Sequence, residues 1–188
     1  MQTDSASERI DFHDVYTSET DKVSSDYLSE FASLIQLNHY KVAVIESMTG
    51  GGIARKLVSL PGCSDYFLGG VVAYHSRLKV QHGLVNPKTI VEHGVVSARV
   101  TEEMAAGIKK STQADITIAS NGIAGPANDT YSIDQSGTVF LSWNIRDKII
   151  KTKRYKIEGD RNNIIDKAVF IALSMCLRYI KNDLRKDQ

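Results

Sequence analysis

A chain of 188 residues with 23 Lys and Arg against 22 Asp and Glu carries a formal net charge of +1, so no global bias points to nucleic acid. It is long enough to bury one sizeable core as a single domain. Its two cysteines, Cys63 and Cys176, lie far apart and make neither a metal-ligand spacing nor a disulfide framework; no apolar run reaches membrane-spanning length and no basic-then-apolar signal segment opens the chain, so a cytoplasmic setting without membrane contact is expected.

Residues 1–25 are rich in Ser, Thr, Asp and Glu and read as a mobile polar leader, from which Ile10, Phe12, Val15 and Tyr16 could dock. The domain proper is expected over 26–188. Leu28, Phe31, Leu34, Ile35 and Leu37 recur at helical spacing and predict an amphipathic helix to about Asn38. Val42-Ala43-Val44-Ile45 then reads as a buried strand that stops at Glu46-Ser47. Thr49 offers a capping hydroxyl, three glycines allow a tight turn, and a helix follows to about Ser59. Leu68 to Tyr74 is the second expected strand. Short helices follow from Ser76, carrying Lys79, and from Asn86-Pro87. Ser97 caps a longer helix with Val100, Met104 and Ile108 on its inner face. Ile116 to Asn121 is the third strand and enters the turn Gly122-Ile123-Ala124-Gly125-Pro126, after which 127 to about 136 is a polar loop. Residues 137–143 and 149–157 pair as an antiparallel hairpin across a short polar link. Gly159-Asp160-Arg161 opens a terminal helix.

Strands alternating with helices, plus one hairpin, predict a three-layer α/β/α sandwich around a mixed, mostly parallel five-stranded sheet. Ligands of such sheets bind beyond the carboxyl ends of the parallel strands. Three polar turns fall there: Glu46-Ser47, Tyr74-His75 and Asn121-Gly122. The turn after the first strand also aims helix N–H groups at Ser47, which suits an anion or an oxyanion, although a plain Gly-rich strand-to-helix turn has the same pattern.

Glu46-Ser47-Met48-Thr49-Gly50-Gly51 resembles the Glu-Ser-Cys-Thr-Gly-Gly signature of the CinA C-terminal domain family, the nicotinamide mononucleotide amidohydrolases also described as competence/damage-inducible proteins. The resemblance continues through Pro61-Gly62-Cys63-Ser64, Gly70 to Tyr74 with Lys79 five residues on, and His93-Gly94-Val95-Val96-Ser97. Gly122 to Pro126, Gly137-Thr138-Val139 and Gly159-Asp160-Arg161 complete it. It covers about Leu28 to Tyr179 and implies a stand-alone amidase domain, without cofactor or metal, forming a homodimer.

The implied reaction converts nicotinamide mononucleotide and water into nicotinate mononucleotide and ammonia. An amide is a poor electrophile, so the site needs a nucleophile, a base and oxyanion donors. The resemblance gives Ser47 as nucleophile and Lys79 as base. Lys79 can act so only if burial or nearby positive charge lowers its pKa; otherwise it is an ordinary solvated lysine. Tyr74 would bridge Ser47 and Lys79 or orient the amide. Arg161 suits the phosphate by its forked guanidinium, unless it pairs with Asp160 or Glu158. Gly50, Gly51 and Gly122 could add backbone N–H groups. Glu46, Thr49, His75 and Asn121 complete the expected substrate-binding set. Ser76-Arg77-Leu78-Lys79 also spells the serine–x–x–lysine of acylating serine hydrolases, whose other motifs do not appear.

The chain departs from the family at three places. Asn121 stands where Thr or Ser is usual, Tyr74-His75-Ser76 where Tyr-Ser-Asn is usual, and 127–136 replaces a glycine-rich loop. Asn121 is expected to crowd the substrate amide or find another partner, giving a weak amidase that Asn121→Thr improves. A second reading is a weakly active or non-catalytic nucleotide-binding module.

Overall fold

The computed structural model describes residues 20–126 and 136–185. The docking residues suggested for the leader, and the loop residues 127–135, lie outside them. Five strands, β1 (Val42–Glu46), β2 (Phe67–Val72), β3 (Ile116–Ile123), β4 (Thr138–Ile145) and β5 (Ile149–Lys156), form one sheet in the order β2-β1-β3-β4-β5. β1 pairs parallel with β2 and β3, while β4 is antiparallel to both β3 and β5. All the strands but β4 therefore point the same way, and the sheet is mixed as its sequence pattern implies.

The helices are α1 (Thr20–Leu37), α2 (Gly52–Val58), α3 (Ser76–Gly83), α4 (Pro87–His93), α5 (Ala98–Thr112) and α6 (Arg161–Leu184). α1 begins at Thr20, inside the stretch read as leader. β1 shows why the sheet is covered on both sides: Val42 and Val44 pack with α1, α2 and α6, while Ala43 and Ile45 pack with α5. A strand with apolar residues at every position has no wet face. The α5 side is close-fitting. A side chain on Gly107 would collide with the carbonyl of Gly83 at the end of α3, so glycine at 107 lets the two helices touch backbone to backbone.

Register decides where the chemistry collects. Glu46 lies opposite Val72 of β2 and opposite Ser120 of β3. One residue further along, Ser47, Ala73 and Asn121 therefore stand in a row at the carboxyl ends of three parallel strands. The N–H of Ser47 continues the ladder by donating to the Ser120 carbonyl at 2.9 Å. Four of the helices have side-chain N-caps. His75 caps α3, Asn86 caps α4 with Pro87 as its first residue, Ser97 caps α5 and Asp160 caps α6.

Candidate active site

A cavity of about 180 Å³ opens at this row of strand ends, lined by Ser47, Tyr74, Lys79, Asn121, Gly122 and Arg161 together with apolar groups. The three polar turns therefore converge, each through some of its residues. At the centre, Lys79 Nζ donates to Ser47 Oγ at 2.6 Å and to the Ala73 carbonyl at 2.8 Å. Both side chains are buried, Lys79 with only 1% of its surface exposed. Desolvation pushes the Lys79 ammonium down to about 8. Among the described residues no Asp or Glu forms an ion pair with Lys79. The rival serine–x–x–lysine pairing does not form: Ser76 begins α3, and the lysine hydrogen bond goes to the serine from β1.

Glu46 and Thr49 turn out to be structural. The Glu46 carboxylate accepts from Thr49 Oγ1 at 2.6 Å and from the N–H groups of Gly51, Ile53 and Ala54 at 3.0, 3.1 and 2.8 Å. Thr49 also contacts Ser120 Oγ at 2.5 Å. The N-terminus of α2 is thus filled by the protein's own anion. This corrects the expectation that its N–H groups face a ligand. Gly50 and Gly51 line no part of the cavity. The N–H of Gly50 closes a turn onto the Ser47 carbonyl at 3.1 Å, and Gly51, not Thr49, is the N-cap, in a left-handed conformation.

His75 is exposed and its ring nitrogen accepts from the Arg77 N–H at 3.2 Å, a helix cap outside the cavity lining. Tyr74 is 61% exposed at the cavity rim and does not bridge Ser47 and Lys79. Its hydroxyl instead accepts from Arg161 Nη2 at 3.2 Å. Arg161 Nη1 donates to the Gly125 carbonyl at 2.7 Å, so the guanidinium spans the rim between the β2 and β3 turns. Arg161 is not paired with Asp160, whose carboxylate accepts from the Asn163 backbone and side chain at 2.8 and 2.9 Å and is held below the usual carboxylate range by them.

Asn121 is fully buried, and its amide is not left unpaired. Nδ2 donates to the Val95 carbonyl at 2.8 Å, and Oδ1 accepts from the Gly122 N–H at 3.1 Å. Gly122 lines the cavity, but this bond occupies the N–H that was expected to serve a ligand. A side chain at 122 would meet the Thr138 carbonyl at 2.5 Å, which explains the glycine by close approach of β4. The remaining wall comes from Met48, Val95, Val96 and the turn Ile123 to Pro126. Sequence reasoning singled out these segments as motifs without assigning their side chains to the site. An apolar loop residue carries no signal for which way it faces.

The model of the CinA C-terminal domain matches residues 25–180, and the chain belongs to that family. A CinA-like protein of Thermotoga neapolitana is 40% identical over 79% of this chain and 36% of its own. One from Desulfotalea psychrophila is 38% identical over 76% of this chain and 34% of its own. The chain thus spans about a third of the length of the curated relatives it matches. A competence or damage-inducible protein of Enterobacter asburiae superposes with a TM-score of 0.77 at 30% identity, covering 82% of this chain and 96% of the other. A competence-damaged protein superfamily member of Escherichia coli gives 0.78 at 25% identity, over 87% and 94%.

Proposed function

We propose that the chain is an amidohydrolase that converts nicotinamide mononucleotide into nicotinate mononucleotide and ammonia. The observation that carries this reading is the buried Ser47–Lys79 pair, 2.6 Å apart at the head of a cavity. A serine hydroxyl is a weak nucleophile until a base takes its proton, and a buried lysine near neutrality is such a base. With its pKa at about 8, roughly a tenth of Lys79 is neutral at pH 7.

The neutral Nζ accepts the Ser47 proton as Oγ attacks the amide carbon. The Met48 N–H follows the nucleophile in sequence, has no hydrogen-bond partner among the described residues and belongs to a residue that lines the cavity, so it is our candidate oxyanion donor. The C–N bond then breaks and the Lys79 proton leaves with ammonia, giving an acyl-Ser47. Water, deprotonated by Lys79, cleaves that ester and restores both residues. Arg161 uses two of its N–H groups on Gly125 and Tyr74, and its remaining donors suit the phosphate at the rim.

The competing reading of a non-catalytic module leaned on the Asn121 and 127–136 departures; for Asn121, the pairing to Val95 and Gly122 leaves no unpaired amide in the site. The test is ammonia release from nicotinamide mononucleotide by the purified chain. Sustained release that Ser47→Ala abolishes is expected. Release unaffected by Ser47→Ala, or no release over a range of pH, would overturn the proposal.

A further inference from the structure

Val95 and Val96 face the cavity from the short link between the end of α4 at His93 and the Ser97 cap of α5. This link has no regular structure of its own. Its local bonds are a helix-end contact from the Gly94 N–H to the Ile90 carbonyl at 3.0 Å, and Ser97 Oγ donating to the Gly94 carbonyl at 3.0 Å. Among the described residues, one hydrogen bond joins Val95 or Val96 to the sheet: Asn121 Nδ2 to the Val95 carbonyl at 2.8 Å. The same amide takes the Gly122 N–H on its oxygen at 3.1 Å. The two partners fix the amide's orientation, since a carbonyl only accepts and an N–H only donates. A Ser or Thr hydroxyl can donate and accept, but it is one bond shorter and offers one oxygen where the amide offers two separate atoms, so it does not reach both partners.

We infer that Asn121 is a specificity-determining positioning residue: it pins Val95 and Val96 as a fixed apolar wall and withholds the Gly122 N–H from the ligand. This deepens the amidase reading and rests on it. With that donor removed, the side of the cavity formed by Val95, Val96, Ile123 and Met48 reads its ligand by packing. A flat ring bearing a carboxamide fits such a surface, whereas an aliphatic amide with polar substituents would leave those substituents unpaired there.

The test compares the parent with Asn121→Asp and Asn121→Thr. Asp keeps the shape but cannot donate to the Val95 carbonyl at neutral pH, and Thr falls short of it. For both variants KM for nicotinamide mononucleotide should rise about tenfold with kcat changed much less, the loss expected when one buried hydrogen bond no longer orients the wall. The pH dependence of kcat should stay in place in the Thr variant, because Lys79 keeps its partners, and move upward in the Asp variant, whose carboxylate shares the cavity with Lys79. Amide hydrogen exchange followed by NMR should quicken at Val95 and Val96 in both variants, and at Gly122 in the Thr variant. Exchange at parental rates in both would refute the clamp whatever the kinetics. A Thr variant with lower KM would refute the specificity role. If even the parent releases no ammonia, the amidase reading fails, and exchange alone decides the clamp.

Discussion

Two turns leave adjacent parallel strands in matching register, and the protein uses them oppositely. The turn after β1 looks like a ligand cradle: a serine, a threonine and three glycines before a helix. Yet its helix N-terminus is closed from inside by Glu46, which accepts from Thr49, Gly51, Ile53 and Ala54. The end of β3 and the turn after it are apolar apart from Asn121, yet Gly122 to Pro126 forms much of the cavity wall. A Gly-rich turn binds a ligand only when its N–H groups are free. Here the internal carboxylate takes the N–H groups of Gly51, Ile53 and Ala54, so the first turn holds Ser47 beside Lys79 and, apart from it, keeps only Met48 on the cavity side.

The largest effect should come from removing what that turn presents. Ser47→Ala should lower ammonia release by at least about a thousandfold with the melting temperature nearly unchanged, while Ser76→Ala changes little. If Ser76→Ala were the damaging variant, the nucleophile would sit on α3 and the contrast between the two turns would lose its meaning. Lys79→Met should cost about a hundred- to ten-thousandfold in kcat. It should also stabilise the fold at neutral pH. Burial lowers the Lys79 pKa from 10.5 to about 8, so the unfolded chain holds the proton more tightly. The penalty for a buried ammonium is full below pH 8 and fades as pH rises to 10.5. Denaturant unfolding should therefore show Lys79→Met more stable by up to about 3 kcal/mol at pH 7, with the gap closing above pH 10. The parent's kcat should rise with pH through about 8, and a kcat flat from pH 6 to 9 would contradict Lys79 as base.

The strand pattern, both faces of the sheet and the Ser47, Lys79 and Arg161 positions were legible in the sequence. Buried strands need apolar residues at every position, and Ser47 stands at a strand end, whereas Lys79 and Arg161 lie on helices and were picked out through the family motifs. What was not legible was partnership. Glu46 and Thr49 belong to the same motif as Ser47, and nothing in residue type says that one faces the cavity and two face α2. That depends on the pleat: Ser47 follows the last strand residue, so its side chain leaves on the opposite side from Glu46. For Asn121 two outcomes were expected, crowding the substrate amide or finding another partner, and the structure shows the second. Its partner, Val95, is 26 residues away in sequence, and a backbone carbonyl there leaves no trace in the pattern. Tyr74 was expected either to bridge Ser47 and Lys79 or to orient the amide, and the structure rules out the bridge. A direct Nζ–Oγ bond leaves no gap to bridge, and Arg161 takes the phenol.

A smaller effect is expected from the closed turn itself. In Glu46→Gln the amide oxygen can still accept from Thr49, Gly51 and Ile53, but its NH2 then opposes the Ala54 N–H, which now donates to Oε1 at 2.8 Å. One unsatisfied buried donor costs about 1–3 kcal/mol, read as a lower denaturation midpoint. Activity should fall only as far as Ser47 loosens. A Gln variant of parental stability would mean that the carboxylate does not close α2.

The smallest effect separates the two turns as phosphate sites. With the α2 N-terminus filled, the phosphate of the proposed substrate would meet its positive charge elsewhere, and among the described residues Arg161 at the rim, held by Gly125 and Tyr74, is the cation that lines the cavity besides Lys79. Arg161→Lys keeps the charge but loses the planar fork, and a lysine cannot hold both rim partners and a phosphate in one geometry. KM for nicotinamide mononucleotide should rise about tenfold, or 1.4 kcal/mol, with kcat nearly constant, because the contact is the same in ground and transition states. The dephosphorylated riboside should not distinguish the two proteins. Should Arg161→Lys leave KM for the nucleotide unchanged while Glu46→Gln raises it, the phosphate would sit at the α2 N-terminus after all. The roles assigned to the two turns would then be reversed.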